Sequence, residues 1–583
     1  MSMNSKWYGF DVDGTIADNS AHTFGMGKIG KPIKPMCDLM KKLHAEGRRV
    51  KIFTARLSDV GSDRLSQQAV KEHIWKWCDE NLGFRPEITD RKDYKMECLY
   101  DDRAKQVVRN TGECIEDLYR KLADSVRRDE EPRCLRNLTG EASAIIGAGD
   151  EAIDNILKAR TNLDRIRGCL FGGAVGDALG YPVEFMGESQ IRSRFGKDGI
   201  TEYVLDPRSG KALISDDTQM TLFTATGILV GDTRGKLRGV MGDLWSYVAL
   251  HYEDWLKTQE VSLDQRQAEL KAERDSGRSL FQHSWLINEP RLYHNRAPGM
   301  TCLSGIRRRI RESRTHYPHN GPSKYPINDS KGCGGVMRVA PIGLYISNFD
   351  RDLINDKYAM ANIDREAAET AAFTHSHSLG YMPAAVLAHI VNRLVYPLKG
   401  KRKPMSVKDA VCEARDAARE LFADDRHIGE LVGLINRAIM LAEGDGKDID
   451  CIHELGEGWV GDEALAIAIF CALRHHDDFS AGIVAAVNHR GDSDSTGAIT
   501  GNILGAHLGY AAMDGKWKEN LELSDVILEI SGDLCRKCQM HEYGPAYDSV
   551  WMDKYGSVVP SYVISNCGNS NIEEVYRCGD EIL

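Results

Sequence analysis

The first hundred and twenty residues alternate short apolar segments with segments of helical spacing. The pattern predicts strands over residues 7–11, 50–53 and 98–101, and helices over 36–46, 67–81 and 115–123. Strands and helices that alternate in this order are typical of a parallel sheet with crossover helices. We therefore predict a small α/β domain that ends near residue 124.

The pattern changes beyond residue 160. Long amphipathic or wholly apolar helical stretches follow one another, joined by Gly-rich and acid-rich segments; examples are residues 382–394, 463–473 and 481–487. This favours an all-α domain over residues 160–583. The interval 125–159 begins with the charged, Pro-containing SVRRDEEPRC and continues with small residues, which is typical of a linker between domains.

The composition is that of an ordinary folded chain of more than one domain. At 583 residues, 42% hydrophobic and 28% charged, it exceeds the length that one core usually serves. A formal net charge of -11 argues against a protein that coats nucleic acid or an anionic membrane. We interpret one basic cluster as a solvated helix face rather than an anion-steering patch: Arg307, Arg308, Arg309, Arg311 and Arg314.

The chain carries no pattern of export or membrane insertion. The N-terminus lacks an apolar segment of signal-peptide length, and the longest apolar run is too short to span a bilayer. We expect a cytoplasmic protein without a membrane partner. The 15 Cys are then interpreted as reduced thiols, and the single CxxC pair, Cys535 and Cys538, as no zinc site, because a second pair at zinc-ribbon spacing is missing.

Two carboxylates follow the first predicted strand. Asp11 and Asp13 stand at the carboxyl edge of the predicted parallel sheet, where such folds bind ligands. One carboxylate can attack phosphorus and form an aspartyl-phosphate, while the other serves as general acid and base. Together they can bind a hard cation through oxygen.

Three segments resemble motifs of the haloacid-dehalogenase family: 11–15 (DVDGT), 53–56 (FTAR) and 99–102 (LYDD). The resemblance implies a Rossmann-like fold with phosphatase activity and one Mg²⁺. It makes Asp11 the nucleophile, Asp13 the acid and base, and Thr54 a donor to phosphate. Asp101 and Asp102 become the remaining magnesium ligands. Lys92 is assigned to phosphate binding, although Lys95 also precedes the acidic strand. The short intervals between these motifs leave little room for an inserted cap domain, so we expect a site that is open or covered by the second domain.

Two further acidic clusters lie far apart in the second domain. Residues 214–218 (ISDDT) and 491–497 (GDSDSTG) each combine two acids with hydroxyl residues. Neither has the twelve-residue loop of an EF-hand. Brought together, they offer four carboxylates and several hydroxyls, which is enough oxygen for two Mg²⁺ ions. The residues therefore predict a binuclear site.

These clusters, with residues 167–180 (RGCLFGGAVGDALG), Glu184, 337–343 (MRVAPIG) and 374–377 (THSH), resemble the ADP-ribosylglycohydrolase family over roughly residues 163–535. The resemblance implies an all-helical fold, two central metal ions and hydrolysis of the glycosidic bond at the anomeric carbon of ADP-ribose. It makes Glu184 the acid that positions or activates water. The implied metal ligands are Ser215, Asp216, Asp217, Asp492, Asp494 and Ser495.

Substrate contacts are expected from Asp177 and from the glycine loop, residues 332–335, in which Gly334 and Gly335 let backbone N–H groups approach the pyrophosphate. Members of the resembled family often carry Asn where Cys333 stands, which affects substrate preference rather than the metal site. His375 and His377 are interpreted as packing and loop-supporting residues, not metal ligands. Trp459 can stack on adenine, but we favour a core position for it.

The sequence as a whole predicts a magnesium-dependent hydrolase that releases ADP-ribose from a modified acceptor, with a protein side chain such as arginine favoured. An ADP-ribosylated small molecule is the other acceptor class. The N-terminal domain would act as a phosphomonoesterase on a phosphorylated small molecule or a nucleic-acid end. One alternative makes the phosphatase primary, acting on a nucleotide or polynucleotide end, with a helical domain that senses ADP-ribose. A silent ADP-ribose-binding module is the other alternative, but a binder needs no acid at the anomeric carbon.

Overall fold

The computed structural model describes residues 7–13, 15–18, 29–57, 64–91, 96–100, 150–276, 282–313, 321–345, 357–398, 404–541 and 547–556. The chain divides into two compact units, here called the N-terminal unit (Met1–Lys158) and the helical unit (Ala159–Leu583). The predicted helix over 115–123 and the predicted site residues Lys92, Asp101 and Asp102 lie outside the described residues.

The N-terminal unit contains a four-stranded parallel sheet of order β3-β2-β1-β4. Its elements are β1 Trp7–Phe10, α1 Lys34–Ala45, β2 Arg49–Phe53, α2 Arg64–Asn81, β3 Glu87–Thr89 and β4 Met96–Tyr100. The three predicted strands and the two predicted helices in the described part are confirmed within a few residues. The sequence pattern missed β3, because three residues are too few to show an alternation.

A small apolar core holds this sheet. Helix α1 starts with Pro35 in its first turn, where a missing N–H costs nothing, and buries Met36 and Met40. Phe10 and Ile52 pair across β1 and β2 and are fully buried. Strand β1 (WYGF) carries no charge, which is common in parallel sheets that are covered on both faces, whereas β2 (RVKIF) also carries Arg49 and Lys51. The arrangement brings the segments after β1 and β2 to the same edge of the sheet.

The helical unit is built from helices joined by turns and short 3₁₀ segments, which confirms the predicted all-α architecture. The helices are α3 Asp150–Gly180, α4 Glu188–Phe195, α5 Asp216–Arg238, α6 Leu244–Glu260, α7 Leu263–Asp275, α8 Met300–Ser313, α9 Ala340–Leu344, α10 Lys357–Ala372, α11 Ser378–Val395, α12 Val407–Leu421, α13 Ile428–Glu443, α14 Asp448–Leu455, α15 Gly461–Arg474, α16 Phe479–Val487, α17 Ser493–Leu508, α18 Gly515–Lys518, α19 Ser524–Arg536 and α20 Ser549–Tyr555. None of the described helices is long and apolar enough to cross a membrane.

The last part of the predicted linker is helical. Helix α3 begins at Asp150, so residues 150–159 form its first turns, and the boundary between the two units falls inside it at Lys158. The charged and small residues of 125–149 lie outside the described residues. The small, Gly- and Ala-rich composition that suggested a flexible connection is compatible with helix once the following apolar turns provide a continuous ladder of hydrogen bonds.

Helices α3 and α17 meet along what we call the glycine seam, formed by Gly168, Gly172 and Gly176 of α3 and Gly497, Gly501 and Gly505 of α17. A Cβ added at any of these positions would overlap the backbone of the partner glycine. The pairs run 168 with 505, 172 with 501, and 176 with 497, so the helices are antiparallel and touch backbone to backbone. Only glycine permits this approach. The seam fixes the end of α3 against the start of α17.

A buried charged network ties α10, α11 and α12 together. His389 lies in α11, with Nδ1 2.9 Å from Asp364 of α10 and Nε2 3.3 Å from Glu413 of α12. Arg393, one turn further along α11, donates to the same Glu413 at 2.8 Å. Burial lowers the pKa of His389, but the two carboxylates more than offset this and raise it to about 8. The imidazolium is therefore favoured in the folded protein.

This network makes the stability of α11 depend on pH. The folded pKa of His389 lies above its ordinary value of 6.5, so its contribution is fully present below pH 6.5 and is lost as the pH rises through about 8. The pKa shift of His389 corresponds to a stabilisation of the folded protein by about 2 kcal/mol. Hydrogen exchange of α11 amides, measured from pH 6 to 9, should show this loss in the wild type and a smaller change in His389→Gln. Equal pH profiles of the two proteins would contradict the role of His389.

Candidate active site

The two acidic clusters lie at the N-termini of α5 and α17. Ser215 is the N-cap of α5 and accepts a hydrogen bond from the Asp217 N–H at 3.2 Å. Asp492 is the N-cap of α17 and accepts one from the Ser495 N–H at 3.2 Å. Hydroxyl and carboxylate residues cap helices well, and negative charge is favoured in the first turn. The local sequence thus explains both why the helices begin here and why acids are gathered.

The clusters lie close enough to repel one another. Asp216, Asp217, Asp492 and Asp494 are each at most 5% exposed. Burial raises the pKa of Asp216 to about 8. Burial raises the pKa values of Asp217 and Asp494 well above the ordinary range. Repulsion between carboxylates adds to this effect, since Asp492 acts on both and Asp217 acts on Asp494. Such a group of acids requires protons or cations to remain buried.

Glu184 joins this cluster from the end of α3. It follows the 3₁₀ turn Tyr181–Val183, is 8% exposed, and its Oε2 has no hydrogen-bond partner. A Cβ at Gly180 would touch the backbone of Ser493, so the end of α3 lies directly on the start of α17. Burial, and then repulsion from Asp492 and Asp216, raises the pKa of Glu184 to about 9. Its place beside both acidic clusters agrees with the role that the sequence resemblance implies.

Asp177, which the sequence predicts as a substrate contact, binds the start of α5 through its carboxylate. It is fully buried, and its carboxylate accepts hydrogen bonds from the Ser215 N–H at 2.9 Å and from the N–H of Thr218 at 3.1 Å, as well as from the Thr218 hydroxyl. Both oxygens are therefore engaged with the start of α5. In the described geometry Asp177 fixes the acidic turn of α5 to α3.

The glycine loop, residues 332–335, lies beside the acids. Residues Cys333–Gly335 form one 3₁₀ turn. The Cys333 N–H donates to the Trp459 carbonyl at 3.2 Å, and the Cys333 thiol donates to Asp492 at 2.7 Å. The residue that departs from the resembled family is thus in direct contact with one of the acids. The loop is fixed at one edge of the cluster.

The two histidines act at different places, since His375 supports this loop and His377 caps a helix. The His375 ring contacts the space above Gly332 and Gly334, and its Nδ1 lies 2.9 Å from the Thr374 hydroxyl. Burial, and then the nearby Arg338, lowers its pKa to about 3, so the ring is neutral. The His377 side chain instead caps α11 by accepting from the Leu379 N–H at 3.1 Å.

Arg338 is a buried residue whose importance the sequence did not show. Its guanidinium is fully buried, donates to the Thr374 hydroxyl at 2.6 Å and lies 4.5 Å from the centre of the Tyr252 ring. None of its hydrogen bonds to the described residues goes to a carboxylate. The sequence signal was a single charge inside the apolar run 336–344, within the segment 337–343 that carries part of the family resemblance. Arg338 holds Thr374, which in turn holds His375 and the loop.

The predicted core position of Trp459 is wrong. Its side chain is 39% exposed and stacks with Phe185, which is 74% exposed, at a centroid distance of 6.0 Å and an interplanar angle of 21°. Trp459 stands in the turn before α15, not on its buried face. The sequence showed a Trp before an apolar helix but not which side of the turn it takes. Phe185, next to Glu184, was not singled out at all.

The N-terminal unit brings its described site residues to one edge. Asp11 directly follows β1, and the buried Thr54 directly follows β2, its neighbour in the sheet. Arg56 forms a two-point salt bridge with Asp13, with both N–O distances at 2.6 Å. This occupies both oxygens of the carboxylate that was assigned as acid and base. Asp13 is therefore held by Arg56 in the described geometry.

A known protein family matches the helical part of the chain. The model of the family described as ADP-ribosylglycohydrolase matches residues 158–544. The chain belongs to the ADP-ribosylglycohydrolase family. This match covers residues 159–544 of the helical unit and includes both acidic clusters, Glu184 and the glycine loop. The haloacid-dehalogenase resemblance of the N-terminal unit remains a prediction.

Individual ADP-ribosylglycohydrolase relatives match at low identity over most of their length. The chain is 24% identical to the ADP-ribosyl-[dinitrogen reductase] glycohydrolase of Rhodospirillum rubrum over 62% of this chain and 91% of the relative. It is 23% identical to the ADP-ribosylhydrolase ARH3 of Gallus gallus over 65% of this chain and 94% of the relative. A solved structure, "ADP-ribosylglycohydrolase-related protein complex", aligns with a TM-score of 0.40 and 22% identity over 65% of this chain and 99% of that chain.

ADP-ribosylglycohydrolases are metal-dependent, and the donor set here fits a hard cation. The described residues contain no group of three or more His, Cys, Asp or Glu side chains already in ligating positions. The acids nevertheless share one buried region, and Asp217 Oδ2 and Glu184 Oε2 lack hydrogen-bond partners there. Oxygen-only donors with mutual repulsion suit a divalent cation such as Mg²⁺.

Proposed function

We propose that the helical unit hydrolyses the glycosidic bond between ADP-ribose and a modified acceptor in a magnesium-dependent reaction, with an arginine side chain favoured as acceptor. ADP-ribose hydrolysis is the activity of the family to which the chain belongs. The observation that carries the proposal is the gathering of buried acids at two facing helix N-termini, with Glu184 beside them.

Six residues would hold two Mg²⁺ ions in this proposal: Ser215, Asp216, Asp217, Asp492, Asp494 and Ser495. When bound, the ions would supply positive charge that orients the ribose hydroxyls and stabilises charge that develops during bond cleavage. Asp177 supports this set by fixing the first turn of α5. Met337 contacts the Ser495 hydroxyl through its sulfur at 3.8 Å, which closes the site from the apolar side.

Glu184 would handle the proton. It positions a water molecule near the anomeric carbon, the bond from that carbon to the acceptor nitrogen breaks, and a bond to the water oxygen forms. The proton released by water passes through Glu184 to the acceptor nitrogen, so the acceptor leaves with the same charge that it carries in the bound form. The free Oε2 of Glu184 supports this role, because no described side chain competes for it. Gly334 and Gly335 would present backbone N–H groups to the pyrophosphate.

The N-terminal unit would act as a phosphomonoesterase with one Mg²⁺. In support, Asp11 and Thr54 follow neighbouring parallel strands at the edge where such sheets bind ligands. Asp11 would attack phosphorus and form an aspartyl-phosphate. Asp13 would serve as acid and base after Arg56 turns from its carboxylate toward the phosphate, a role that suits a guanidinium fork. A phosphorylated small molecule or a nucleic-acid end is the proposed substrate.

One assay tests both activities. The intact chain is incubated with ADP-ribosylated peptides and with phosphate monoesters, and free ADP-ribose and phosphate are measured together, with Mg²⁺ and in excess chelator. We expect ADP-ribose release to disappear in chelator and in Asp216→Ala, since the remaining acids then have no cation to hold them. Phosphate release should persist in Asp216→Ala and disappear in Asp11→Asn.

The outcomes separate the alternatives. ADP-ribose release that continues in excess chelator would overturn the magnesium-dependent site. Phosphate release without any ADP-ribose release by the intact chain would favour the alternative of a nucleotide or polynucleotide-end phosphatase with an ADP-ribose-sensing helical unit. Binding of ADP-ribose without turnover of any peptide would instead favour a silent binding module.

A further inference from the structure

An aromatic pair stands at the surface of the active site without an assigned role. Phe185 is 74% exposed and Trp459 is 39% exposed, and their rings stack with an interplanar angle of 21°. Large apolar side chains at such exposure are costly to hydrate, and two that stack in contact form a preformed platform. No Lys or Arg among the described residues lies over either ring.

The main chain fixes this aromatic pair beside the acids. Phe185 directly follows Glu184 in the sequence. On the other side, the Trp459 carbonyl accepts from the N–H of Cys333, whose thiol donates to Asp492 at 2.7 Å. A Cβ at Gly458 would also touch Asp492. The pair is therefore bracketed by Glu184 and Asp492, at the end of the site where the anomeric carbon is expected.

The charges around the aromatic pair favour a cation. The faces of aromatic rings attract cations, most strongly for Trp. Glu184 and Asp492 lie beside the aromatic pair, and the acids that flank the pair in the sequence, Glu188 and Glu457, already have partners in His453 and Arg490. Even with two divalent cations in the site, five carboxylates and a pyrophosphate would leave excess negative charge.

We propose that Phe185 and Trp459 form the acceptor subsite and bind the guanidinium group of an ADP-ribosylated arginine. The proposal rests on the glycohydrolase function proposed above and assigns two residues to recognition of the acceptor that it favours. A guanidinium is planar, weakly hydrated and stacks on aromatic faces, whereas a serine acceptor offers neither charge nor plane. The exposure of the pair also suits an acceptor, since the modified protein stays outside the site. Adenine would gain more from an enclosed position.

The test compares one peptide sequence that carries ADP-ribose on arginine or on serine. Turnover of both by the intact chain with Mg²⁺ is measured for the wild type, Phe185→Leu, Trp459→Leu and the double variant. Trp459→Phe is the conservative variant, and Tyr358→Leu is the control, because Tyr358 is another highly exposed aromatic residue, at 83%. Leucine keeps apolar bulk but removes the ring face, so folding should be preserved, as circular dichroism would show.

We expect the double variant to lose about threefold to thirtyfold in kcat/KM on the arginine-linked peptide, mainly through KM, as is typical of a lost cation–π contact. Activity on the serine-linked peptide should change less than twofold, and Trp459→Phe should retain most of the arginine activity. An equal loss on both peptides would overturn the proposal and favour adenine stacking. Unchanged activity on both would overturn it as well.

A failure of the proposed glycohydrolase function can be distinguished from a failure of the proposed acceptor subsite. If the wild type releases ADP-ribose from neither peptide, the glycohydrolase proposal fails. Calorimetric binding of the same two peptides to Glu184→Gln then decides the subsite on its own. Tighter binding of the arginine-linked peptide, lost in a Glu184→Gln chain that also carries the Phe185→Leu and Trp459→Leu changes, would support it. Equal binding of both peptides would overturn it.

Discussion

Replacing Glu184 by Gln is expected to lower the rate of ADP-ribose release by about 10²- to 10⁴-fold, the usual effect of removing a general acid or base. The amide keeps the shape of the side chain, and the partner-free Oε2 means that no hydrogen bond of the described residues is broken. Binding of ADP-ribose and of Mg²⁺ should remain. Single-turnover release of ADP-ribose, followed by mass spectrometry, is the appropriate measurement.

Glu188→Gln is the matched control for this experiment. Glu188 lies four residues further along, in the first turn of α4, and contacts His453. It has the same side chain but no place among the buried acids, so its replacement should leave the rate within about twofold, as for most surface changes. If Glu184→Gln also kept the wild-type rate, Glu184 would be structural and a different group would handle the proton.

Gly501→Ala is expected to destabilise the helical unit by about 1–3 kcal/mol or more, although alanine is the better helix former by about 1 kcal/mol. The reason is the glycine seam, where the added methyl group would overlap the backbone of Gly172 on the facing helix. Because α17 must then move from α3, its acidic N-terminus shifts as well. Half-maximal activity should need more Mg²⁺, measured by titration alongside the shift in melting temperature.

Gly433→Ala provides the opposite outcome as a control. Gly433 lies within α13, and a Cβ there would meet no atom within 4 Å. With open space, only the backbone effect remains, so the substitution should be neutral or stabilising by up to about 1 kcal/mol. A similar melting shift for both alanine variants would show that the seam tolerates a methyl group and that the close contact does not hold α17 in place.

Periodic hydrophobic patterns predicted the elements of this fold well, because each helix or strand buries one side. Helix α11, with its wholly apolar run 382–394, is an example. The acidic clusters were also visible, since Asp216 and Asp494 stand in short, unusual runs of acids and hydroxyls. That Glu184 belongs with them came only from the family resemblance. Glu184 is an isolated acid in the sequence and is part of no recognisable pattern.

Other features depend on contacts that no local pattern shows. Asp177 was predicted to face a substrate, yet its carboxylate binds the start of α5, because burial is decided by the helix packed against it. Trp459 stands next to an apolar helix but lies on the open side of its turn. The glycines of the seam, such as Gly172, are weak helix formers by propensity, so only the facing helix explains their presence.

The glycine seam also determines when, during synthesis of the chain, the two acidic turns can come together. The two acidic turns belong to α5 and α17, which are far apart in the sequence, and α17 contacts the backbone of α3 along the seam. The helices from 244 to 487 can form contacts with their sequence neighbours while the chain is still being synthesised. The contact between α3 and α17 joins residues that are far apart in the sequence, and such contacts form slowly and late. A nascent or truncated chain that stops before Asp492 therefore carries only Asp216 and Asp217 of the four clustered aspartates. We therefore expect a chain that lacks α17 to release no ADP-ribose.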